Sequence, residues 1–173
     1  MEQGLLSAML EQRYEDITVS GLCDRMGVPR KSFYRYFDSK EDALHAMLDH
    51  ALMDYEGYIP DGKSAGPLTI EEELERYFDY WLSKKPLLDA LSFSGLSSVL
   101  SERALAQVQE SLPLLQRRMS AKTDNEEREY MTVFATGGIL TLMIRWHHMG
   151  CPVPPKHMAH IIARFLSQPL FER

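Results

Sequence analysis

Residues 17–44 read ITVSGLCDRMGVPRKSFYRYFDSKEDAL, and this stretch decides the fold. Thr18 offers a hydroxyl to the free amides that open a helix. Behind it Val19, Leu22, Cys23 and Met26 recur at i, i+3, i+4 and i+7, one face of that helix. Gly27 accepts a positive φ, which ends a helix and turns the chain sharply. Pro29 suits the first turn of the next helix, where no backbone N–H is needed. There Phe33 and Phe37 stand at i and i+4, and Ser39-Lys40-Glu41-Asp42 fits a capping box for a further helix. Two short helices joined at a glycine make a helix-turn-helix, whose second member enters the major groove of DNA.

The two faces of this segment differ in chemistry. Leu22, Met26, Val28, Phe33 and Phe37 are the inward set. Arg30, Lys31, Ser32, Tyr34, Arg35 and Tyr36 cluster outward. Between residues 25 and 40 five basic side chains stand against one acid, Asp38, a local +4 in a chain of net charge −6. A cationic face on an acidic protein suits selective reading of DNA better than indiscriminate coating. Tyr34 and Lys40 are expected at phosphates. Thr18 is a helix cap that can also reach one, and Arg30, Lys31 and Arg35 are the candidates for base edges.

Working outward, a first helix carries Leu5, Leu6, Met9 and Leu10, and the helix after Ser39 runs to about residue 55. Residues 57–69 (GYIPDGKSAGPLT) hold three glycines and two prolines, a composition that breaks helices and separates two parts. The expected division is a helix-turn-helix domain over residues 1–45 and a second helical domain over residues 46–173, for which effector binding and dimerisation are implied only by the family resemblance given below. In the second part Leu74, Tyr77, Phe78 and Trp81 define a helix face. Later helices are expected at 86–95, 98–119 (kinked at Pro113), 125–149 and 155–167. No stretch alternates as a strand does, so the expected fold is all-α with about nine helices.

Length and composition agree. The chain has 173 residues, 45% of them apolar and 25% charged, which excludes collagen-like, low-complexity and disordered proteins. Cys23 and Cys151 are far apart with no C-x-x-C spacing, as expected of free thiols in a reducing cytoplasm. No charged-then-apolar leader opens the sequence. The longest charge-free apolar stretch, residues 130–144, is 15 residues long and is interrupted by Thr132, Thr136 and Thr141. A bilayer span needs about 20, so the expectation is a buried helix and no membrane partner.

Residues 17–44 resemble the DNA-binding domain of TetR-type transcriptional regulators. The shared pattern is a Thr-capped helix, a small residue in mid-helix, Gly-Val at the turn, Tyr-x-Tyr-Phe in the recognition helix, and Ser-Lys-Glu. Cys23, Pro29 and Lys31 depart from it, standing where Ala, Ser and Gly are commoner. Met1-Glu2-Gln3 lacks the basic arm that many relatives carry. Residues 130–166 (YMTVFATGGILTLMIRWHHMGCPVPPKHMAHIIARFL) resemble the last two helices of one TetR subgroup. That resemblance implies a homodimer closed by a four-helix bundle, with Ile139, Leu142, Trp146, Ile161 and Phe165 at the interface. An apolar helix must in any case be covered on most faces. Gly137-Gly138 costs ~1–2 kcal/mol of helix propensity, which a close crossing or room for a ligand can offset.

Phe78, Trp81, Phe93, Met119, Met131 and Phe134 can line a cavity or pack as ordinary core, and the residues alone leave both open. The family architecture places an inducer site among those middle helices. The implied function is a repressor on a near-palindromic double-stranded operator, released by a small-molecule effector. The alternative is a DNA-bound activator whose C-terminal domain binds a partner protein.

Other chemistry finds little support. There is no G-x-S-x-G, no phosphate-cradling glycine loop and no H-E-x-x-H, so no enzyme is expected. His147, His148, Cys151, His157 and His160 have zinc-type side chains, but no carboxylate completes a pattern, and neither metal nor cofactor is expected.

Overall fold

A computed structural model describes residues 1–56, 58, 68–107 and 124–167. Those residues form nine α-helices and one 3₁₀ turn, with no strand among them. The helices are α1 (Glu2–Met9), α2 (Val19–Met26), α3 (Arg30–Tyr34), α4 (Lys40–Glu56), α5 (Ile70–Ser83), α6 (Lys85–Phe93), α7 (Ser97–Ala106), α8 (Asn125–His148) and α9 (Pro155–Ser167); the 3₁₀ turn covers Tyr14–Asp16. Met119 and Pro113 lie outside the described residues, as does the end of the helix expected over 98–119. No helix among the described residues is long and apolar enough to cross a membrane.

The chain divides into two compact units. The first comprises Met1–Asp54 with Pro86–Ala106, so α6 and α7 pack with the N-terminal helices. Leu5, Ala8 and Met9 of α1 are buried, as are Leu22 and Cys23 of α2. A methyl group at Gly4 would meet the Met26 sulfur at 2.3 Å, so α1 rides directly on α2. α4 buries Ala43, Leu44, Met47, Leu48 and Ala51, the one-sided spacing of an amphipathic helix. Leu87, Leu88 and Leu91 of α6 and Leu100 of α7 add to this core.

The α6–α7 corner also meets the N-terminal segment through polar and aromatic groups. The Tyr14 amide donates to Ser94 Oγ at 3.0 Å. Arg13 lies over the Phe93 ring, 5.7 Å from its centroid.

The second unit comprises Tyr55–Lys85 and Gln107–Arg173. Thr69 and Glu72 form a reciprocal capping box that starts α5: Thr69 Oγ1 accepts from the Glu72 amide at 3.2 Å, and Glu72 Oε2 accepts from the Thr69 amide at 2.8 Å. α5 and α9 make the most extensive helix pairing of the described residues. Phe78 of α5 meets Trp146 of α8 edge to face, with centroids 5.3 Å apart. Asp124 caps α8 by accepting from the Glu127 amide at 2.7 Å. Two threonines inside that apolar helix are satisfied locally, since Thr132 donates to the Arg128 carbonyl and Thr141 to the Gly137 carbonyl, each at 2.7 Å, whereas the buried Thr136 hydroxyl finds no partner among the described residues.

Candidate nucleic-acid interface

The site is built around one buried ring. Thr18 caps α2 by accepting from the Gly21 amide at 3.1 Å. Gly27 ends α2 in the left-handed region, at φ 66°, and the Val28 amide returns to the Cys23 carbonyl at 3.0 Å. The chain then enters α3, which buries only Phe33. Phe33 packs edge to face with Tyr34 (centroids 5.5 Å) and tilted against Phe37 (5.6 Å). Helix α3 is shorter than the expected recognition helix. It closes at Tyr34, where the Tyr36 and Phe37 amides both donate to the Phe33 carbonyl, at 2.9 and 3.1 Å. Arg35, Tyr36 and Phe37 therefore occupy a closing turn.

With Phe33 turned inward, the neighbouring polar groups turn outward. Tyr34 and Tyr36 are 55% and 61% exposed, and Arg30, Lys31 and Arg35 are exposed as well. Thr18 is exposed and Ser32 half-buried. Arg35 lies over the Tyr36 ring, 4.9 Å from its centroid, and donates to its hydroxyl at 3.0 Å, so the two present one cationic unit. Arg30 donates to Ser20 Oγ, which ties the first residue of α3 back to α2. Ser20 has no pattern in the sequence that marks it. It matters because it restrains a long side chain before any ligand arrives.

Not all of the local positive charge faces solvent unshared. Arg25 is paired with Glu11, and its guanidinium holds that carboxyl below the usual range. Lys40, expected at a phosphate, is half-buried. Its ammonium donates to the Tyr14 and Ile17 carbonyls, each at 2.7 Å, and sits 4.2 Å from the centre of the Tyr14 ring. Arg30, Lys31 and Arg35 are the cations the structure leaves outermost. The cap of α4 also differs in detail from expectation. Ser39 Oγ accepts from the Asp42 amide at 3.0 Å, but Asp42 Oδ2 accepts from the Asp38 amide at 3.1 Å rather than from Ser39.

Of the residues expected around a cavity, Met119 lies outside the described residues and the others differ in burial. Phe78 and Trp81 are fully buried in the second unit. Phe93 belongs to the first, half exposed beneath Arg13. Met131 and Phe134 are exposed on α8, Phe134 at 78%. The residues expected at a dimer interface also split. Leu142, Ile161 and Phe165 are exposed, whereas Ile139 and Trp146 are buried within the unit. Trp146 packs on Phe78 and donates from its indole to the Val153 carbonyl at 2.8 Å, which makes it a core residue.

The histidines are dispersed in role. His147 is buried beside exposed His148, while His160 Nδ1 meets Glu71 Oε1 at 3.1 Å. Among the described residues no three His, Cys, Asp or Glu side chains gather as a metal site.

Residues 7–47 match the family model described as bacterial regulatory proteins, tetR family, and residues 69–168 match one described as a transcriptional regulator C-terminal region. No curated protein matches. Among solved structures, the fatty acid degradation regulator FadR from Bacillus halodurans is similar at 15% identity with a TM-score of 0.58, over 99% of this chain and 95% of that one. At that identity the likeness is one of fold.

Proposed function

The chain belongs to the TetR family of DNA-binding transcriptional regulators, and on that premise we propose that it is a cytoplasmic homodimeric repressor released from its operator by a small molecule. Residues 1–45 are the reading head, and residues 46–173 carry effector binding and dimerisation. One observation carries the reading. α3 spends a single side chain, Phe33, on the core, while Arg30, Lys31, Tyr34, Arg35 and Tyr36 around it point to solvent. Phenols and cations on one rigid element are what phosphate anchoring and base reading require.

Tyr34 and the Arg35–Tyr36 pair serve the backbone in this account, with Thr18 at the entrance of α2. Arg30, Lys31 and Ser32 meet base edges. Leu142, Ile161 and Phe165 supply exposed apolar surface for a twofold partner. Two heads related by that axis then stand roughly 34 Å apart, one turn of DNA. An effector acts by favouring a spacing of heads that no longer matches successive grooves, and it does so only through its differential affinity for the two states. α4 is the lever, because it begins at the edge of the reading head.

A second reading, an activator that holds a protein partner, is favoured by the exposure of Tyr130, Met131 and Phe134 on α8. Selection of bound duplexes from a random pool tests the main reading. A near-palindrome with half-sites one turn apart is the expected product, and recovery of no common sequence defeats it. A reporter driven from the selected site then separates repression from activation.

A further inference from the structure

Lys40 is the first residue of α4, yet its ammonium reaches back across the chain to the turn that leads into α2. An ammonium has three donors and no acceptor. Two of the three are engaged at 2.7 Å by the carbonyls of Tyr14 and Ile17, and the charge rests over the Tyr14 ring. Those carbonyls bracket the 3₁₀ turn, and Ile17 immediately precedes the Thr18 cap. One side chain therefore ties the entrance of α2 to the start of α4, on either side of the recognition segment. The Tyr14 ring that receives the charge is half-buried, and its amide is bonded to Ser94.

We infer that Lys40 is a positioning residue: it sets the attitude of α2 and α3 by clamping the Tyr14–Ile17 turn to α4, and it does not contact a phosphate. The inference rests on the DNA-binding reading above but assigns Lys40 a different task from a phosphate anchor. The two tasks leave different marks on DNA affinity. A lost phosphate contact removes a released counterion and lowers the slope of log K against log salt by about 0.9 per contact. A lost clamp weakens binding at every salt concentration and leaves the slope alone.

The test measures binding of the full chain to its selected operator across a salt series, for wild type, Lys40→Met and Tyr14→Leu, at a temperature where circular dichroism shows each protein folded. Lys40→Met is expected to bind on the order of tenfold more weakly with the wild-type slope. Tyr14→Leu keeps the ammonium but removes the ring beneath it, and it is expected to weaken binding in the same way. The double variant should be little worse than either alone. A slope lower by about 0.9 per head in Lys40→Met overturns the inference, as does unchanged affinity in the folded variant. If Lys40→Met does not fold, Tyr14→Leu decides: full affinity overturns the clamp, and weakened affinity at constant slope supports it. A wild type that retains no duplex defeats the DNA-binding reading itself, and the role of Lys40 with it.

Discussion

Arg103 of α7 grips Asp49 of α4 with two parallel hydrogen bonds, Nε to Oδ1 at 2.8 Å and Nη2 to Oδ2. Both side chains are partly shielded, and the bond to Asp49 raises the Arg103 guanidinium above its ordinary pKa. A bidentate pair fixes direction as well as distance. It holds α7 in register with the helix that begins at the reading head, so a shift of α7 must move α4 or break the pair. Arg103→Ala or Asp49→Asn is expected to lower stability by about 1–2 kcal/mol, with a coupling of about 1 kcal/mol in the double-mutant cycle. Urea midpoints at constant m-value provide the readout, and additive losses would reduce the pair to a bystander.

The local devices that shape the helix-turn-helix are also measurable. Thr18→Ala removes the acceptor for the Gly21 amide and should cost ~1 kcal/mol. Gly27→Ala meets no neighbour within 4 Å, so its cost, also about 1–2 kcal/mol, comes from the positive φ alone. An Asn at residue 27, which tolerates that φ, should lose less than Ala. Equal losses for Asn and Ala would point to something other than backbone conformation.

For the proposed dimer, Leu142→Glu or Phe165→Glu places a charge on an exposed apolar position and should give folded monomers by sedimentation equilibrium. Trp146→Glu places one in the core beside Phe78 and should unfold the second unit instead. Dimers that survive both surface charges would move the interface to another face.

His50 and Glu2 link α4 to the start of α1 at 2.9 Å. The hydrogen bond to Glu2 is the largest influence raising the His50 pKa; the Glu2 charge adds to it, slight burial opposes it, and Asp54 and Asp49 assist. A raised folded-state value means that the contribution is full below the unfolded value of about 6.5 and fades as pH climbs through the folded value. The pair is exposed, so the effect is a few tenths of a kcal/mol. Glu2→Gln should therefore lower Tm slightly near pH 6 and leave it unchanged near pH 8.5. A penalty that persists at the higher pH would assign Glu2 a role independent of His50.

The helix-turn-helix was legible because its signals are chain-local. Thr18, Gly27 and Phe33 act on atoms a few residues away, and their types declare those contacts. Thr69-x-x-Glu72 was equally local but sat at the edge of a glycine- and proline-rich stretch read as linker. Trp146 and Ile139, both buried within the second unit, were harder to place for a different reason. In a helix apolar almost all round, the 3.6-residue period no longer distinguishes the face against α5 from the other apolar faces. Phe93 and Lys40 depended on tertiary placement. Nothing near residue 93 reports that α6 packs with the N-terminal helices, and nothing near residue 40 reports where four flexible methylenes will carry an ammonium.

The solitary anchorage of α3 has an evolutionary corollary. Because Phe33 is the one side chain that helix buries and Arg30 holds it to Ser20 of α2, exposed Lys31 between them is released from mechanical duty. On the proposed reading, replacing exposed Lys31 retargets the protein to another promoter without taxing the fold, so divergence of binding preference should run well ahead of divergence in architecture.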